Sequence, residues 1–320
     1  MKNIIYVIFL VCTYFVQAQE DIATAEHLNE MGFLGNVKSL TRTYCGSKDT
    51  LIAKFNEKGY LYYQFYVDQF GRRKTLYIYN DFDKIDKKEV YTNDVLDHVE
   101  IYEYDTVHRL NKYVNYVGEE EHAKYTYRYN SEGNIDRINV SELFLDGNSY
   151  SHFTSTIKFE YKGQTKIKRI LNDTTVVRTE IEILSDSLDI FKIHTTDGMD
   201  DETTYVYKNK NGLTTEIKKY LEPDREENLL MNFIEYVYKN NKLIQRTDHF
   251  QNYAMSSTTK TFYDEHENWV KEIRTTDDGK ENISTRKITY DNFNNITHIE
   301  SYSDGIYYGC TTYEFEYYTE

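Results

Sequence analysis

The sequence predicts an all-β protein: a long antiparallel meander of about ten β-hairpin repeats with a period of about 25 residues, curled into a spiral or open shell. Aromatic residues alternate with polar ones along short segments, as in strands with one covered face. Asn, Asp and Gly separate these segments, and the same internal spacing recurs along the chain. One short N-terminal helix is expected before the array.

The first 18 residues have the order of a secretory signal peptide. Lys2 makes the start basic, residues 4–16 are almost all apolar, and the small Ala18 marks the expected cleavage site. The apolar run is too short to span a bilayer as a helix. Lipidation at Cys12 stays open as an alternative, although a lipobox would place a smaller residue before it. We expect an exported protein that is periplasmic, on the cell surface or secreted.

Removal of residues 1–18 would remove Lys2 and no acidic residue, which leaves 37 basic and 53 acidic residues and a net charge of −16. Such a balance disfavours nucleic acid and anionic membranes, because both are bound through clustered Lys and Arg. No later stretch is apolar enough to form a transmembrane segment. A cell-surface glycan or another envelope protein is the expected partner.

Residues 19–34 are expected to form a short helical cap. Its apolar residues recur at helical spacing and are Ile22, Ala25, Leu28 and Met31. Gly35 ends the segment, and the hairpin array is expected over residues 35–320. The expected role of the cap is to cover the first edge strand, whose backbone groups would otherwise be unpaired.

The repeat is clearest at residues 125–138. Tyr125, Tyr127 and Tyr129 alternate and so share one face of a strand, and residues 130–134 supply the turn. In each copy an aromatic residue is followed, six positions later, by an apolar residue. The pairs are Phe55/Leu61, Tyr79/Ile85, Tyr104/Leu110, Tyr129/Ile135, Tyr161/Ile167, Tyr207/Leu213, Tyr263/Trp269 and Tyr290/Ile296, with a shorter Tyr238/Leu243 and a copy without aromatics at Leu184/Ile190.

The connections between copies also have turn signals. They are Asp146-Gly147, Asp197-Gly198, Asp278-Gly279 and Asp304-Gly305. Cys45 and Cys310 are the cysteines left after maturation, and they lie near opposite ends of the array. A bond between them would require those ends to meet, so the sequence leaves both a disulfide and two free thiols open.

The segments FNEKGYL, YNSEGNI, YDEHENW and YDNFNNI resemble the YD-x-x-G-N unit of YD-repeat (Rhs-like) proteins. The opening LGNVKSLTRTY is similar to the start of small secreted repeat proteins of this kind from Bacteroidota. The resemblance covers about residues 34–318. It implies a spiralling antiparallel sheet, which in large members of the family forms a hollow shell around a toxin.

Motifs for catalysis or metal binding are weak. His266-Glu267 lies in a predicted turn without the second histidine of a zinc motif. Two acidic runs, residues 81–83 and 197–202, lack the spacing of a calcium loop, and residues 119–122 have the same character. We therefore expect no metal, no cofactor and no catalytic residue, and the sequence leaves the ligand-binding residues unknown.

The 33 tyrosines are the strongest functional signal. Rows of tyrosine across a sheet form the repeat core in one interpretation, and stack sugars or contact a protein in the other. The leading hypothesis is an exported, non-enzymatic repeat protein that acts as a binding or structural module. The alternative is a carbohydrate-active enzyme on a β-scaffold, in which two of the many carboxylates would form the catalytic pair.

Overall fold

A computed structural model describes residues 27–28, 31–146, 149–172, 174–195, 201–221, 229–251 and 256–319. The predicted signal peptide lies outside these residues. The all-β prediction is confirmed, because every regular element in the described ranges is a strand. Within those ranges there is no helix of the length and apolar character that crossing a membrane would require.

The described residues form 22 strands. They are β1 Val37–Tyr44, β2 Thr50–Phe55, β3 Leu61–Asp68, β4 Gly71–Tyr79, β5 Ile85–Thr92, β6 Val95–Tyr104, β7 Leu110–Val117, β8 Glu120–Tyr129, β9 Ile135–Asp146, β10 Ser149–Lys162, β11 Thr165–Asn172, β12 Thr175–Ile183, β13 Leu188–Thr195, β14 Glu202–Lys208, β15 Thr214–Leu221, β16 Leu229–Lys239, β17 Lys242–Gln251, β18 Ser256–Tyr263, β19 Trp269–Thr276, β20 Glu281–Tyr290, β21 Ile296–Ser303 and β22 Ile306–Tyr317.

All 22 strands belong to one antiparallel sheet, and this sheet is closed, because β1 pairs with β22 as well as with β2. The expected open spiral or shell is therefore wrong. Closure pairs the two strands that would otherwise present free backbone groups at the edges of the sheet. The Cys45 amide donates to the Cys310 carbonyl oxygen at 2.9 Å, and the two residues form a disulfide with their Cα atoms 5.1 Å apart.

The expected N-terminal helix is also wrong for the described part of residues 19–34. His27 forms an isolated β-bridge with Tyr60, and Leu28 donates its amide proton to the carbonyl oxygen of Gly59. Leu28 is only 4% exposed, so its apolar side chain is buried without a helix. A helix this short is marginal by itself, and the left-handed Gly32 interrupts it. The segment packs on the β2–β3 turn, while β22 covers the edge of β1.

Seven of the turns that follow a repeat aromatic have the same hydrogen bonds. The first turn residue is Asn or Asp, and its Oδ1 accepts from the backbone amides two and four residues later. These residues are Asn56, Asn80, Asp105, Asn130, Asn209, Asp264 and Asp291. The fourth residue of each turn is left-handed, which favours the Gly of the motif, as at Gly133.

Two of the repeat tyrosines, Tyr79 and Tyr104, use their hydroxyl groups to join neighbouring hairpins. The Tyr79 hydroxyl donates to the Leu61 carbonyl oxygen and the Tyr104 hydroxyl to that of Ile85, both at 2.6 Å. Each acceptor is the apolar partner of the preceding repeat aromatic. Phenylalanine could supply the same buried area without this bond, so the bond gives a physical reason for tyrosine at these positions.

The chain divides into two compact units. Unit 1 comprises Lys48–Tyr125, Glu314–Glu320 and the part of the chain up to Thr43; unit 2 comprises Tyr44–Ser47 and Thr126–Tyr313. Unit 1 has the denser core of large apolar residues. Its buried residues include Leu28, Val37, Leu40, Phe55, Leu61, Tyr77, Ile85, Val90, Tyr102, Leu110, Tyr113, Val114 and Tyr125.

Unit 1 also buries a charged cluster on β5 and β6. The Glu100 carboxylate accepts the Tyr102 hydroxyl at 2.5 Å and lies 3.3 Å from Lys88 Nζ and 3.4 Å from His98 Nε2. Burial alone would raise the pKa of Glu100, but these donors outweigh it and lower the pKa to about 2. The carboxylate is therefore ionised throughout the physiological range of pH.

Unit 2 combines a smaller apolar core with buried polar groups. The buried apolar residues are Tyr127, Ile138, Val140, Ile157, Phe159, Leu171 and Ile234, and the buried polar ones are Lys168, Asp189, Thr203, Thr247, Thr261 and Asn295. Both charged residues form ion pairs: Lys168 Nζ lies 3.2 Å from Glu180 Oε2, and Asp189 Oδ2 lies 2.6 Å from Lys208 Nζ. Unit 2 therefore holds part of its interior together with ion pairs and buried polar groups.

Candidate functional site

A cleft of about 220 Å³ lies in unit 2, where β16 and β18 begin and β17 ends. The lining residues are Leu230, Met231, Asn232, Phe233, His249, Phe250, Gln251, Ser256, Ser257 and Thr258. Ligand sites for drug-sized molecules occupy about 300–1,000 Å³. The cleft therefore has the size for one small ring or a short polar group.

Cross-strand pairing sets up an aromatic pair in the cleft. Phe233 lies directly opposite His249, which in turn lies opposite Thr258. Antiparallel pairing brings such side chains together on one face. The Phe233 and His249 rings are stacked, with centroids 5.4 Å apart and planes inclined by 16°. The ammonium group of Lys218, opposite Phe233 on β15, lies 5.4 Å from the centroid of that ring.

Both nitrogens of His249 have neighbours that hold the ring. Nδ1 lies 3.2 Å from Thr258 Oγ1, and Nε2 lies 3.5 Å from Glu235 Oε2. These contacts fix the direction of the imidazole plane, and with it the plane of Phe233. The aromatic wall of the cleft is therefore oriented before any ligand arrives.

Polar groups without charge form much of the remaining lining. Asn232 Oδ1 is buried and has no hydrogen-bond partner among the described residues. The Ser256 amide donates to Asp277 at 2.7 Å, and the Ser256 hydroxyl donates to the same carboxylate. Those two donors lower the pKa of Asp277, so this residue is an ionised anchor for the start of β18.

The chemistry of the cleft suits a neutral ligand. None of the ten described lining residues is Asp, Glu, Lys or Arg. Amide and hydroxyl groups can exchange hydrogen bonds with ligand hydroxyls, and the aromatic and aliphatic groups can cover an apolar ring face. The lining has no pair of carboxylates for acid–base cleavage of a glycosidic bond.

The motifs singled out in the sequence lie elsewhere and have structural roles. His266 and Glu267 occupy one of the Asn/Asp-capped turns, where Glu267 Oε1 accepts from the Leu243 amide at 2.8 Å. Asp83 pairs with Lys58 at 2.7 Å. Residues 197–200 of the second acidic run are outside the described ranges, and Asp201 accepts from the Thr195 amide at 2.6 Å. Within the described residues, no His, Cys, Asp and Glu side chains cluster as metal ligands.

Sequence reasoning looked for a site among the tyrosines and missed the cleft. Its aromatic residues are phenylalanine and histidine, and none of its lining residues is one of the repeat aromatics. One signal was available: Phe233 is the only phenylalanine of β16, and His249 lies on β17, a strand without tyrosine. Their pairing depends on the register between β16 and β17, which the spacing of the repeats does not specify.

No family model matches the sequence, and no curated protein matches it, so membership of the YD-repeat family stays a prediction. Similar solved structures include TcdB2-TccC3-Cdc42, at 10% identity and a TM-score of 0.47, with 80% of this chain and 15% of that chain covered. A porin-like protein from Bacteroides uniformis has 14% identity and a TM-score of 0.32, and the match covers 69% of this chain and 96% of that chain. A porin-like protein from Bacteroides vulgatus has 11% identity and a TM-score of 0.25, and the match covers 89% of this chain and 99% of that chain.

Proposed function

We propose that this chain is a non-enzymatic binding protein of the cell envelope or the extracellular space, and that its cleft holds a neutral sugar ring. The observation that carries the proposal is the stacked Phe233–His249 pair in a cleft lined otherwise by Phe250 and by amide, hydroxyl and aliphatic groups. A sugar ring has an apolar face and a rim of hydroxyls, and both have partners here.

The disulfide supports the proposed location, because such bonds persist in oxidising compartments outside the cytoplasm. The lack of a carboxylate pair in the lining favours binding over hydrolysis.

Titration calorimetry with neutral oligosaccharides of several linkages tests the proposal. We expect at least one of them to bind the wild-type protein, and Phe250→Ala and Gln251→Ala to weaken that binding at least fivefold. Phe250 is 42% exposed, so its removal leaves the core intact. Phe293→Ala is the matched control, because Phe293 is 47% exposed, lies in the same unit and does not line the cleft.

Three outcomes would contradict the proposal. One is the absence of binding to every oligosaccharide in the panel. Another is equal weakening by Phe250→Ala and Phe293→Ala, which would mean that the cleft is not the site. The third is release of a shorter sugar during incubation with the wild-type protein, which would establish the enzymatic alternative.

A further inference from the structure

Three cationic side chains lie side by side on the exposed face of β9, β10 and β11 in unit 2. Lys158 on β10 is directly opposite Arg137 on β9 and directly opposite Arg169 on β11. Directly opposed residues have Cβ atoms about 4.5–5.5 Å apart, and like charges in such pairs are destabilising. The row is unusual in a chain with a net charge of −15.

Nearby acidic groups neutralise only part of this charge. Arg169 donates to the Glu160 carboxylate, and Lys162 lies 3.5 Å from the same residue. The flanking Arg128 is 3.4 Å from Asp136, so that pair is balanced. Arg169, Lys162, Lys158 and Arg137 together face one carboxylate, which leaves a local charge of about +3.

Arg137 and Lys158 are the two members of the row without a counterion. Neither forms a salt bridge or a side-chain hydrogen bond with any residue that the structure describes. The Arg137 Nε atom is buried and has no acceptor, so part of this guanidinium has lost water without gaining a partner. A buried unpaired donor of this kind is costly and calls for an anionic neighbour.

We propose that Arg137 and Lys158 together bind a ligand oxyanion, a carboxylate or a sulfate group. A guanidinium presents two parallel N–H donors to such a group, and the ammonium of the directly opposed lysine can hold another of its oxygens. The site is separate from the neutral cleft, whose lining contains neither residue. It goes beyond the proposed function because it adds a second ligand chemistry to unit 2.

The test uses the full chain and three polymers: polygalacturonate, which carries carboxylates, dextran sulfate, and uncharged dextran. We expect the wild-type protein to bind at least one anionic polymer and not dextran. Arg137→Gln and Lys158→Gln should each weaken that binding at least tenfold. Lys271→Gln is the matched control, because Lys271 is an exposed strand lysine of the same unit that lies opposite Phe262 and Thr285, not opposite cations.

Thermal unfolding in sodium sulfate, against sodium chloride at equal ionic strength, distinguishes the sources of the oxyanion. A rise in Tm with sulfate that is lost in Lys158→Gln shows that a free anion suffices. Polymer binding without that rise assigns the site to a polyanion. In the absence of anions, Lys158→Gln should unfold at the same temperature as the wild type or higher, because repulsion is removed.

Two results would overturn the proposal. If Lys158→Gln and Lys271→Gln reduce polymer binding equally, the row is only part of a diffuse surface charge. If neither anionic polymer binds and sulfate has the effect of chloride, Arg137 and Lys158 do not form an oxyanion site. A marked fall in the Tm of unliganded Lys158→Gln would also contradict it, since it would reveal a stabilising partner within the protein.

Discussion

Protonation of Glu100 should account for a defined part of the loss of stability in acid. The pKa of Glu100 falls from 4.5 to about 2 on folding, because the hydrogen bonds and charges of His98, Lys88 and Tyr102 outweigh the opposing effect of burial. At about 1.4 kcal/mol per pH unit, this corresponds to about 3 kcal/mol of stability near neutral pH. The side chain is 12% exposed, so solvent screens it little.

The lowered pKa of Glu100 determines whether stability rises or falls with pH. A carboxyl whose pKa is lowered by folding stabilises the protein above its unfolded value, here 4.5, and this stability is lost as pH falls towards about 2. We expect the difference in unfolding free energy between wild type and Glu100→Gln to shrink by about 2 kcal/mol between about pH 5.5 and 3.0. The pKa of His98 is raised, mainly by Glu100, so that histidine stays protonated throughout this range.

Urea unfolding at several pH values measures this difference. Glu103→Gln is the matched control: Glu103 lies on the same strand, is 50% exposed, and pairs with Lys112 at the surface. The effect of Glu103→Gln on the unfolding free energy should change little with pH, since exposed ion pairs contribute about 0–1 kcal/mol. If the difference in unfolding free energy between wild type and Glu100→Gln stays constant down to pH 3.0, Glu100 is not an ionised buried acceptor.

The other predictions concern single bonds and turns, and all are measured by urea unfolding. Tyr104→Phe should lower the unfolding free energy by about 1 kcal/mol, because the hydrogen bond of the hydroxyl is lost. Tyr127→Phe should be neutral or stabilising, because the Tyr127 hydroxyl is buried without a partner among the described residues. A loss of stability in both variants would contradict the role of the hydroxyl bond. Gly212→Ala should cost about 1–2 kcal/mol at its φ of +77°, and Gly309→Ala, which lies outside the left-handed region with open space around it, is the control. Reduction of the disulfide should cost about 2–5 kcal/mol, since it closes a loop between residues 265 positions apart; an unchanged midpoint would show that strand pairing alone closes the sheet.

The sequence predicted local structure better than closure. Strands and turns follow from patterns within a few residues, such as the alternating tyrosines of β8 and the Asn130 cap after it. Closure depends on β1 meeting β22, a contact across most of the chain that no local pattern specifies. The helix over residues 19–34 was predicted from spacing alone. Hydrogen bonding of Leu28 to Gly59 overrides that weak preference.

The cleft and the cation row were out of reach for a related reason. Each depends on which residues of neighbouring strands lie opposite one another, as Phe233 does with His249 and Lys158 with Arg137. Most hairpins contain a β-bulge, for example between Val237 and Tyr238, and each bulge shifts the register by one residue. Repeat spacing therefore locates the turns but not the partners across the sheet.

Three of the four turns whose left-handed fourth residue is not glycine have a common physical reason; the remaining turn has Asn294, and asparagine adopts this conformation readily. Three of the left-handed fourth positions hold Asp83, His108 and Glu267, where a side chain costs about 1–2 kcal/mol. Each of these side chains contacts the turn of the preceding hairpin. Asp83 pairs with Lys58, the centroids of the His108 and Phe82 rings are 3.6 Å apart, and Glu267 accepts a hydrogen bond from the Leu243 amide. Contacts between adjacent turns offset the backbone strain. The motif can therefore lose its glycine while the turn keeps its geometry, which is why the repeats are easier to recognise by their spacing than by their residues.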